Sequence, residues 1–474
     1  MRNSPPVSIA APRAWARSAW HRIRTNPRLS TAVATGLVLR SAFAVVATPS
    51  GYYPGSDPDQ FLSYASSISQ LAEYQMRGHV TAYFPAGWPL MLSPVAWLSR
   101  HTGGFSLPLG ANLLCAALGG YIVWATARLA AIWFGRRVGV VTAWLVAVAP
   151  ALIVVSATPL VETCFTAVVM TLLIPVSELL QAERFTPPSR RRVFAWGVLA
   201  GYLIVVRSSG VVVLLVVAAC VWHAAGSFAV IRRTVGLVAL GMMVLVVPMT
   251  LRNGLALHFW SPFSTNQAQA LCQAHNDAAT GGYSNDRTFL ETCSWAPRPD
   301  SKWDSRTEGA WANSVPRKAA TWALHHPRRE LLLARHKLYI VLLQDREAGA
   351  LSYTEESHAI PDRYIDPLWT AIETWRTIAL TLAAVALVRS RRCRRAHLLW
   401  IMPVALVAVL MIGPVGARMN LPLLPFLAIF SATVVLPDRP DEGRNLDGGD
   451  PGGHHVPPPH DPAQVILADA AVPG

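Results

Sequence analysis

The sequence alternates long apolar runs with short polar and basic segments. Runs of about the length that crosses ~30 Å of hydrocarbon as a helix occupy residues 31–48, 106–131, 138–158, 160–180, 193–207, 209–224, 234–250, 368–388, 397–413 and 419–436. We therefore predict an all-α integral membrane protein with about ten transmembrane helices, interfacial helices in its first outer loop and one long extracytoplasmic loop.

An eleventh apolar stretch, Tyr83–Ser99, decides the topology. It contains Pro85, Pro89 and Pro94, which remove backbone hydrogen bonds that lipid cannot replace. If this stretch does not cross the membrane, the basic clusters between the other runs all fall on the side of the basic N-terminus, as the positive-inside rule requires. These clusters are Arg128/Arg136/Arg137, Arg184 to Arg192, Arg232/Arg233 and Arg389 to Arg395. We predict that the stretch lies along the outer interface as a helix.

This topology divides the chain into five regions. They are a basic cytoplasmic tail (1–30), an N-terminal transmembrane catalytic module (31–250) that includes the outer loop 49–105, an extracytoplasmic loop (251–367), C-terminal transmembrane helices (368–436) and a disordered cytoplasmic tail (437–474).

Composition agrees with this prediction and excludes other classes. The chain is 52% hydrophobic and 14% charged, and its formal net charge of +14 comes from clusters between apolar runs rather than from a continuous basic stripe. We therefore expect membrane lipid, and no nucleic acid, among its partners. Of the six cysteines, Cys272 and Cys293 share the long outer loop and are predicted to form a disulfide. No Cys or His spacing in the sequence indicates a zinc site.

Polar residues that are scattered along the chain come to the outer ends of the predicted helices. They are Asp57 and Asp59 after the first run, Glu162, Arg207, Arg252 and Arg418 at the ends of later runs, and Lys337 in the long loop, while Arg40 lies inside the first run. Carboxylates and cations at one membrane depth suit a reaction between a hydroxyl acceptor and a lipid phosphate donor. Fixed positive charge stabilises the departing phosphate, and a carboxylate takes up the acceptor's proton. Asp57 is the first choice for this base.

Several motifs resemble GT-C class membrane glycosyltransferases, in the branch that contains protein O-mannosyltransferases and lipid A aminoarabinose transferases. The first outer loop carries SDPDQFLSYA and YFPAGWPLMLSP, in which Asp57, Phe61 and Ala65 follow the family spacing. Further motifs follow in family order, namely SATPLVETCFTAVV, VVRSSG, LRNGLALHFWSPFSTNQAQALCQAHNDAATGGY, HHPRRELLLARHKL and GARMNLPLLPFLA. The sequence departs from the family in having Phe61 where Tyr is usual, and in offering Asp59 as a second acid.

The resemblance implies an inverting transferase that moves a mannose- or arabinose-type sugar from a polyprenyl phosphate donor. The acceptor is a hydroxyl of a glycan, glycolipid or protein on the extracytoplasmic face, and Asp57 is the base. Asp59 and Glu162 are further catalytic candidates. Arg40, Arg207, Arg252, Lys337 and Arg418 are candidates for the donor phosphate, and Tyr83, Asn266 and Asn276 for substrate binding. No cofactor is expected to be required.

Other interpretations of the same residues stay open at this point. Asp57 and Asp59 together suit a divalent metal, as in the oligosaccharyltransferase branch. Embedded charges also suit a secondary transporter or lipid flippase, although such proteins rarely need an outer loop of over a hundred residues. Taken singly, acids in a Pro/Gly/Ser stretch commonly cap helices, and arginines at span ends commonly anchor to headgroups.

Overall fold

The computed structural model describes residues 26–76, 78–182, 188–225, 228–283, 304–344, 346, 349 and 351–436. Within these ranges the regular structure is helical, apart from one antiparallel pair, β1 (Gln75–Met76) and β2 (His79–Val80), and an isolated bridge between Gly282 and Val415. The predicted all-α membrane class is confirmed. The N-terminal tail up to residue 25, the tail 437–474 and Cys293 lie outside the described residues.

Ten helices form the N-terminal half. They are α1 (Pro27–Ala47), α2 (Asp57–Ser69), α3 (Gly87–Thr102), α4 (Leu107–Phe134), α5 (Arg136–Ala147), α6 (Pro150–Val154), α7 (Val161–Gln181), α8 (Arg190–Val206), α9 (Gly210–Ala225) and α10 (Phe228–Leu257).

The long loop and the C-terminal half contribute eight more described helices. They are α11 (Asn266–Ala274), α12 (Ser305–His325), α13 (Pro327–Leu343), α14 (Ser352–Glu356), α15 (Ile365–Arg389), α16 (Arg391–Arg395), α17 (His397–Leu410) and α18 (Leu424–Val435), the last preceded by a 3₁₀ segment, Ala417–Leu423.

The predicted apolar runs all fall on these helices. Six described helices are long and apolar enough to cross a membrane: α1, α4, α7, α10, α15 with its preceding turn, and α18 with its 3₁₀ segment. The pair α5 and α6, bent by 60°, makes a seventh if it counts as one span, and α9 and α17 are shorter apolar helices. The run 193–207 coincides with α8.

Helix α3 corresponds to the stretch that was predicted to lie along the interface. It has only 16 residues, contains Pro94 inside the helix, and is not among the candidate spans. Its first turn packs tightly on the end of α8, because a Cβ added at Gly87 would lie 2.6 Å from the backbone nitrogen of Val206. The indole of Trp88 is fully buried and donates to the carbonyl of Pro159 at 2.7 Å. These contacts fix the first outer loop against the ends of α7 and α8.

The break between α5 and α6 explains a charged residue inside α1. Arg40 is fully buried, and its guanidinium donates to the carbonyls of Val146 and Ala147 at 2.8 and 2.9 Å and to Gly36 at 2.9 Å. The last carbonyls of a helix have no intrahelical donor, so a cation there is stabilising. A Cβ at Gly119 would lie 2.5 Å from Arg40 Cδ, so that glycine makes room for the side chain. These contacts show Arg40 capping the end of α5, and its role at the donor phosphate stays a prediction.

A hydrogen-bonded group anchors the chain between α1 and α2. Asn112 of α4 donates to the hydroxyls of Thr48 and Tyr52 and to the carbonyl of Ala157 at 2.8 to 2.9 Å. The Tyr52 hydroxyl also donates to the Ala157 carbonyl at 2.9 Å. This buried network fixes the segment that leads directly to Asp57.

Candidate active site

Four charged side chains from distant parts of the sequence meet at one point. The carboxylate of Asp57 accepts a short hydrogen bond from Nη2 of Arg418. Oε1 of Glu162 lies 3.1 Å from Nη1 of Arg207 and 3.8 Å from Nε of Arg418. Two acids and two arginines therefore form one ion-paired cluster with no formal net charge. We call Asp57, Glu162, Arg207 and Arg418 the charged cluster.

Local structure explains how each member reaches this point. Asp57 and Glu162 stand in the first turns of α2 and α7, where the helix dipole favours a negative charge. Arg207 follows the last residue of α8 in extended conformation, and Arg418 lies in the 3₁₀ segment before α18. All four are thus at helix ends, which the sequence analysis assigned to one face of the membrane.

Burial differs within the charged cluster. The side chains of Glu162 and Arg418 are 3% and 9% exposed, whereas that of Asp57 is 28% exposed. Charges removed from water need partners, which explains why the deeper members are paired with each other. Oε2 of Glu162 nevertheless has no hydrogen-bond partner among the described residues. The charged cluster is therefore closed to solvent at Glu162 and open to it at Asp57.

Two tyrosines complete the site, and the sequence analysis did not predict either. The hydroxyl of Tyr353 in α14 accepts from Nη1 of Arg418 at 2.7 Å. Tyr283 lies near enough to the charged cluster for the charges of all four members to act on its phenol. Burial raises the pKa of the Tyr353 phenol above its ordinary value, with Arg418 partly offsetting the rise. Tyr283 is 37% exposed, and an ordinary phenol already has a pKa of ~10. Both phenols therefore keep their protons at neutral pH and can donate to an anionic ligand.

The long outer loop delivers Tyr283 through backbone pairing. The amide of Tyr283 donates to the Val415 carbonyl at 3.2 Å, and the amide of Val415 donates to the Gly281 carbonyl at 3.0 Å. Gly281 has a φ of +93°, which favours glycine over other residues. The Gly-Gly-Tyr sequence at 281–283 was the available signal for this element. The same pairing precedes Arg418 by three residues, so it places a phenol and a guanidinium together.

Asp59 is not joined to the charged cluster by the described contacts. Its Oδ2 accepts from the backbone amide of Gly55 at 2.8 Å and from the side-chain amide of Gln60 at 3.3 Å. This is the turn-capping arrangement that short acids adopt before helices. Asp57 and Asp59 therefore have separate partners. Among the residues that the structure describes, no group of three or more His, Cys, Asp and Glu side chains is arranged to hold a metal ion.

Arg252 is also placed away from Asp57 by its described contacts. Its guanidinium lies 2.7 Å from a carboxylate oxygen of Glu73 and donates to the Thr81 carbonyl at 2.6 Å. It also lies 4.1 Å from the ring centre of Tyr74. These three partners belong to the first outer loop. Arg252 therefore ties that loop to the end of α10, and its phosphate contact stays a prediction.

The remaining predicted residues lie in the long outer loop, except Tyr83, which belongs to the first outer loop. Nζ of Lys337 donates to the Met411 carbonyl at 2.7 Å. Asn276 is buried and bonds the backbone of its own turn, including the Cys272 carbonyl at 2.7 Å. Tyr83 bonds the side chain of Gln269, and Asn266 accepts from Ser264 and donates its amide to the Tyr83 carbonyl. Cys272 is disulfide-bonded, and because Cys293 is not described, their pairing stays a prediction.

Comparisons with known proteins add fold-level similarities. The chain is similar to the archaeal oligosaccharyltransferase AglB from Archaeoglobus fulgidus, solved with an inhibitory peptide and a dolichol-phosphate, at a TM-score of 0.46 and 15% identity over 84% of this chain and 49% of that one. It is similar to ArnT from Cupriavidus metallidurans bound to undecaprenyl phosphate, at a TM-score of 0.43 and 15% identity over 85% of this chain and 77% of that one.

This chain spans about half the length of the oligosaccharyltransferase. Both proteins are GT-C glycosyltransferases, the class that the sequence motifs resemble. No protein-family model matches the sequence, and no curated protein matches it significantly. At TM-scores below 0.5 these similarities carry no argument about the reaction, which has to come from the side chains of the site itself.

Proposed function

We propose that this protein is a membrane glycosyltransferase that moves a sugar from a polyprenyl phosphate to a hydroxyl of an extracytoplasmic acceptor, with inversion at the anomeric carbon. The observation that carries the proposal is the charged cluster, in which the partly exposed carboxylate of Asp57 is held by Arg418. Such a reaction needs a base for the acceptor hydroxyl and fixed positive charge for the leaving phosphate. The charged cluster contains both.

The ion pair between Asp57 and Arg418 suggests how donor binding prepares the base. A phosphate is a strong ligand for a guanidinium, which can hold it with two parallel hydrogen bonds. When the donor phosphate takes over Nη2 of Arg418, the Asp57 carboxylate is released to accept the proton of the attacking hydroxyl. Binding of the donor thus precedes activation of the acceptor.

Glu162, Arg207 and the two phenols have supporting roles. Glu162 lies between Arg207 and Arg418 and holds both guanidinium groups on the same side of the site. The phenols of Tyr283 and Tyr353 stay protonated and add neutral donors for phosphate or sugar oxygens. Two arginines and two phenols supply the charge stabilisation, so the proposed reaction requires no metal or other cofactor.

The test is transfer from radiolabelled mannose- and arabinose-type polyprenyl phosphates in membranes that contain wild-type protein, Asp57→Asn or Asp59→Asn, with and without a chelator. A general base contributes about 10²–10⁴-fold, so Asp57→Asn is expected to lower transfer at least a hundredfold while its amount in the membrane is unchanged. Asp59→Asn is the matched control, with an expected loss of at most a few-fold because the amide oxygen can still accept from the Gly55 amide.

Three results would contradict this proposal in different ways. A fully active Asp57→Asn beside an inactive Asp59→Asn would move the base by two residues. Loss of transfer with the chelator, restored by added Mg²⁺ or Mn²⁺, would favour a metal-dependent reaction. Absence of transfer from every polyprenyl-phosphate sugar would favour the alternative of a transporter or lipid flippase.

A further inference from the structure

Two basic side chains from the outer loop bind successive carbonyls at the end of α17. Nζ of Lys337 lies 2.7 Å from the carbonyl oxygen of Met411, and Nε2 of His275 lies 2.8 Å from that of Ile412. Both carbonyls directly follow Leu410, the last residue of the helix. Carbonyls at a helix C-terminus lack intrahelical donors and carry partial negative charge, so two basic side chains are well matched to them.

His275 has an oxygen partner at each ring nitrogen. Nε2 faces the Ile412 carbonyl, and Nδ1 lies 2.8 Å from Oε1 of Glu330. His275 is buried, so its ring is held between these two partners.

Lys337 is a buried cation whose proton is weakly held. It has no solvent exposure, and the charge that acts on it is that of Glu330 on its own helix, α13. Burial lowers the pKa of Lys337 to about 8, with Glu330 opposing the shift. Two histidines lie on the elements around Lys337. They are His275, on the neighbouring segment, and His336, the residue before Lys337 on α13. Nδ1 of His336 lies 2.5 Å from the Thr280 carbonyl.

The capped carbonyls begin the segment that carries Arg418. Residues 411–418 leave α17, pair with Gly281 and Tyr283 through Val415, and enter the 3₁₀ segment. The residues just before Gly281 are themselves held to α13, because Arg329 of that helix donates to the carbonyls of Asp277 and Ala279. Three contacts with the outer loop thus hold segment 411–418: those of Lys337, of His275 and of the backbone at 281–283.

We propose that Lys337 and His275 are positioning residues, which hold segment 411–418 through the carbonyls of Met411 and Ile412 and thereby set the place of Arg418 at the site. The proposal rests on the proposed function and deepens it, because it replaces direct phosphate binding by Lys337 with an action through Arg418. Deprotonation of Lys337 removes the charge that it places on the end of α17 and so weakens its hold on the segment.

This arrangement gives transfer and folding stability opposite responses to alkaline pH. Transfer falls as pH rises through about 8, because Lys337 loses the charge that caps α17. Between that pH and the ordinary value of 10.5 the unfolded chain binds more protons at this side chain than the folded chain does. The contribution of Lys337 to stability therefore rises with pH in the same window.

The experiment uses the full chain in nanodiscs and compares wild type with Lys337→Met, His275→Gln and the control Lys318→Met, which changes an exposed lysine of α12. Hydrogen exchange of the amides in 411–418 is measured together with donor-dependent transfer across pH 6–10. Loss of a hydrogen bond from a charged group predicts roughly tenfold faster exchange in Lys337→Met. It also predicts a roughly tenfold loss of transfer and disappearance of the alkaline limb near pH 8. His275→Gln retains one donor and should show a smaller change in both measurements, and Lys318→Met none.

Each outcome has a defined meaning. Loss of transfer in Lys337→Met with wild-type exchange of 411–418 would mean that Lys337 acts on the substrate directly, and would overturn the proposal. If the wild type transfers no sugar, the proposed function fails, but exchange still decides: faster exchange supports the positioning role and unchanged exchange overturns it. If Lys337→Met does not fold, the wild-type exchange of 411–418 at pH 7 and pH 9, normalised to α4, gives the same decision.

Discussion

Two carboxylates occupy similar places in their helices but have opposite surroundings. Glu162 stands in the first turn of α7 and Glu308 in the first turn of α12, and both are buried. Glu308 accepts from the hydroxyls of Thr81 and Thr265 at 2.8 and 2.5 Å, from the amide of Ala82 at 3.0 Å, and contacts Nε2 of His79 at 3.2 Å. Its lone pairs are therefore well occupied by neutral donors and one histidine.

Glu162 has a different set of partners. One of its oxygens faces Arg207 and Arg418, and the other has no hydrogen-bond partner among the described residues. A buried acid that is fully hydrogen-bonded stabilises a fold, whereas a buried acid that pairs with arginines and has one oxygen without a hydrogen-bond partner suits a binding site. Burial and helix position alone therefore do not distinguish structural from functional carboxylates. The two kinds differ in the groups that donate hydrogen bonds to them.

The largest expected effect is the loss of folding free energy on removal of the Glu308 carboxylate. Glu308→Ala removes the acceptor shared by β2, the following turn and α11, and leaves several buried donors unsatisfied. The expected loss is about 3–5 kcal/mol of folding free energy, measured as lower thermal stability and faster proteolysis of the region 304–344. The control is Asp366→Ala, whose exposed ion pair with Arg346 is expected to matter by less than about 1 kcal/mol. Equal stability of the two variants would refute the assignment of Glu308.

A somewhat smaller effect, on transfer instead of stability, is expected for Glu162→Gln. The amide keeps the volume but leaves Arg207 and Arg418 without their shared counter-charge, so the phosphate site loses its geometry. We expect about a hundredfold lower transfer, with a change in thermal stability much smaller than that of Glu308→Ala. Glu308→Gln is the matched substitution and should do the reverse. If Glu162→Gln lowers stability while transfer per folded molecule is unchanged, the distinction between the two acids is wrong.

The sequence draws attention to Glu162 but not to Glu308 for a physical reason. Glu162 borders an apolar run, where an acid is costly and therefore conspicuous. Glu308 lies in a polar loop and finds Thr81 and Ala82 more than two hundred residues away in the chain, which no local pattern reveals. Tyr353 and Tyr283 escaped prediction in the same way, because a phenol in a loop has no characteristic spacing.

Arg40 shows a different limit of the sequence. A cation inside a predicted span suggested a role at the lipid phosphate, since intramembrane charges are usually functional. Pro150 signalled that the apolar run 138–158 would bend, but the sequence does not show which side chain satisfies the carbonyls freed at that bend. The helices themselves were predictable, because each apolar run is long and bounded by polar residues or proline.

The smallest expected effect sharpens the comparison at Arg418, the residue that joins Glu162 to Asp57. Tyr353→Phe removes only the hydroxyl that accepts from Nη1 of Arg418, and the ring, whose centre lies 5.3 Å from the Arg418 Cζ, is retained. A hydrogen bond from a charged group contributes about 1.5 kcal/mol or somewhat more, which corresponds to roughly tenfold lower transfer. Stability should stay near wild type, because the guanidinium keeps its pairs with Asp57 and Glu162. The control is Tyr364→Phe, whose exposed ring lies under Arg363 away from the charged cluster. A loss as large as that of Glu162→Gln would mean that the phenol, and not the buried acid, holds Arg418 in place.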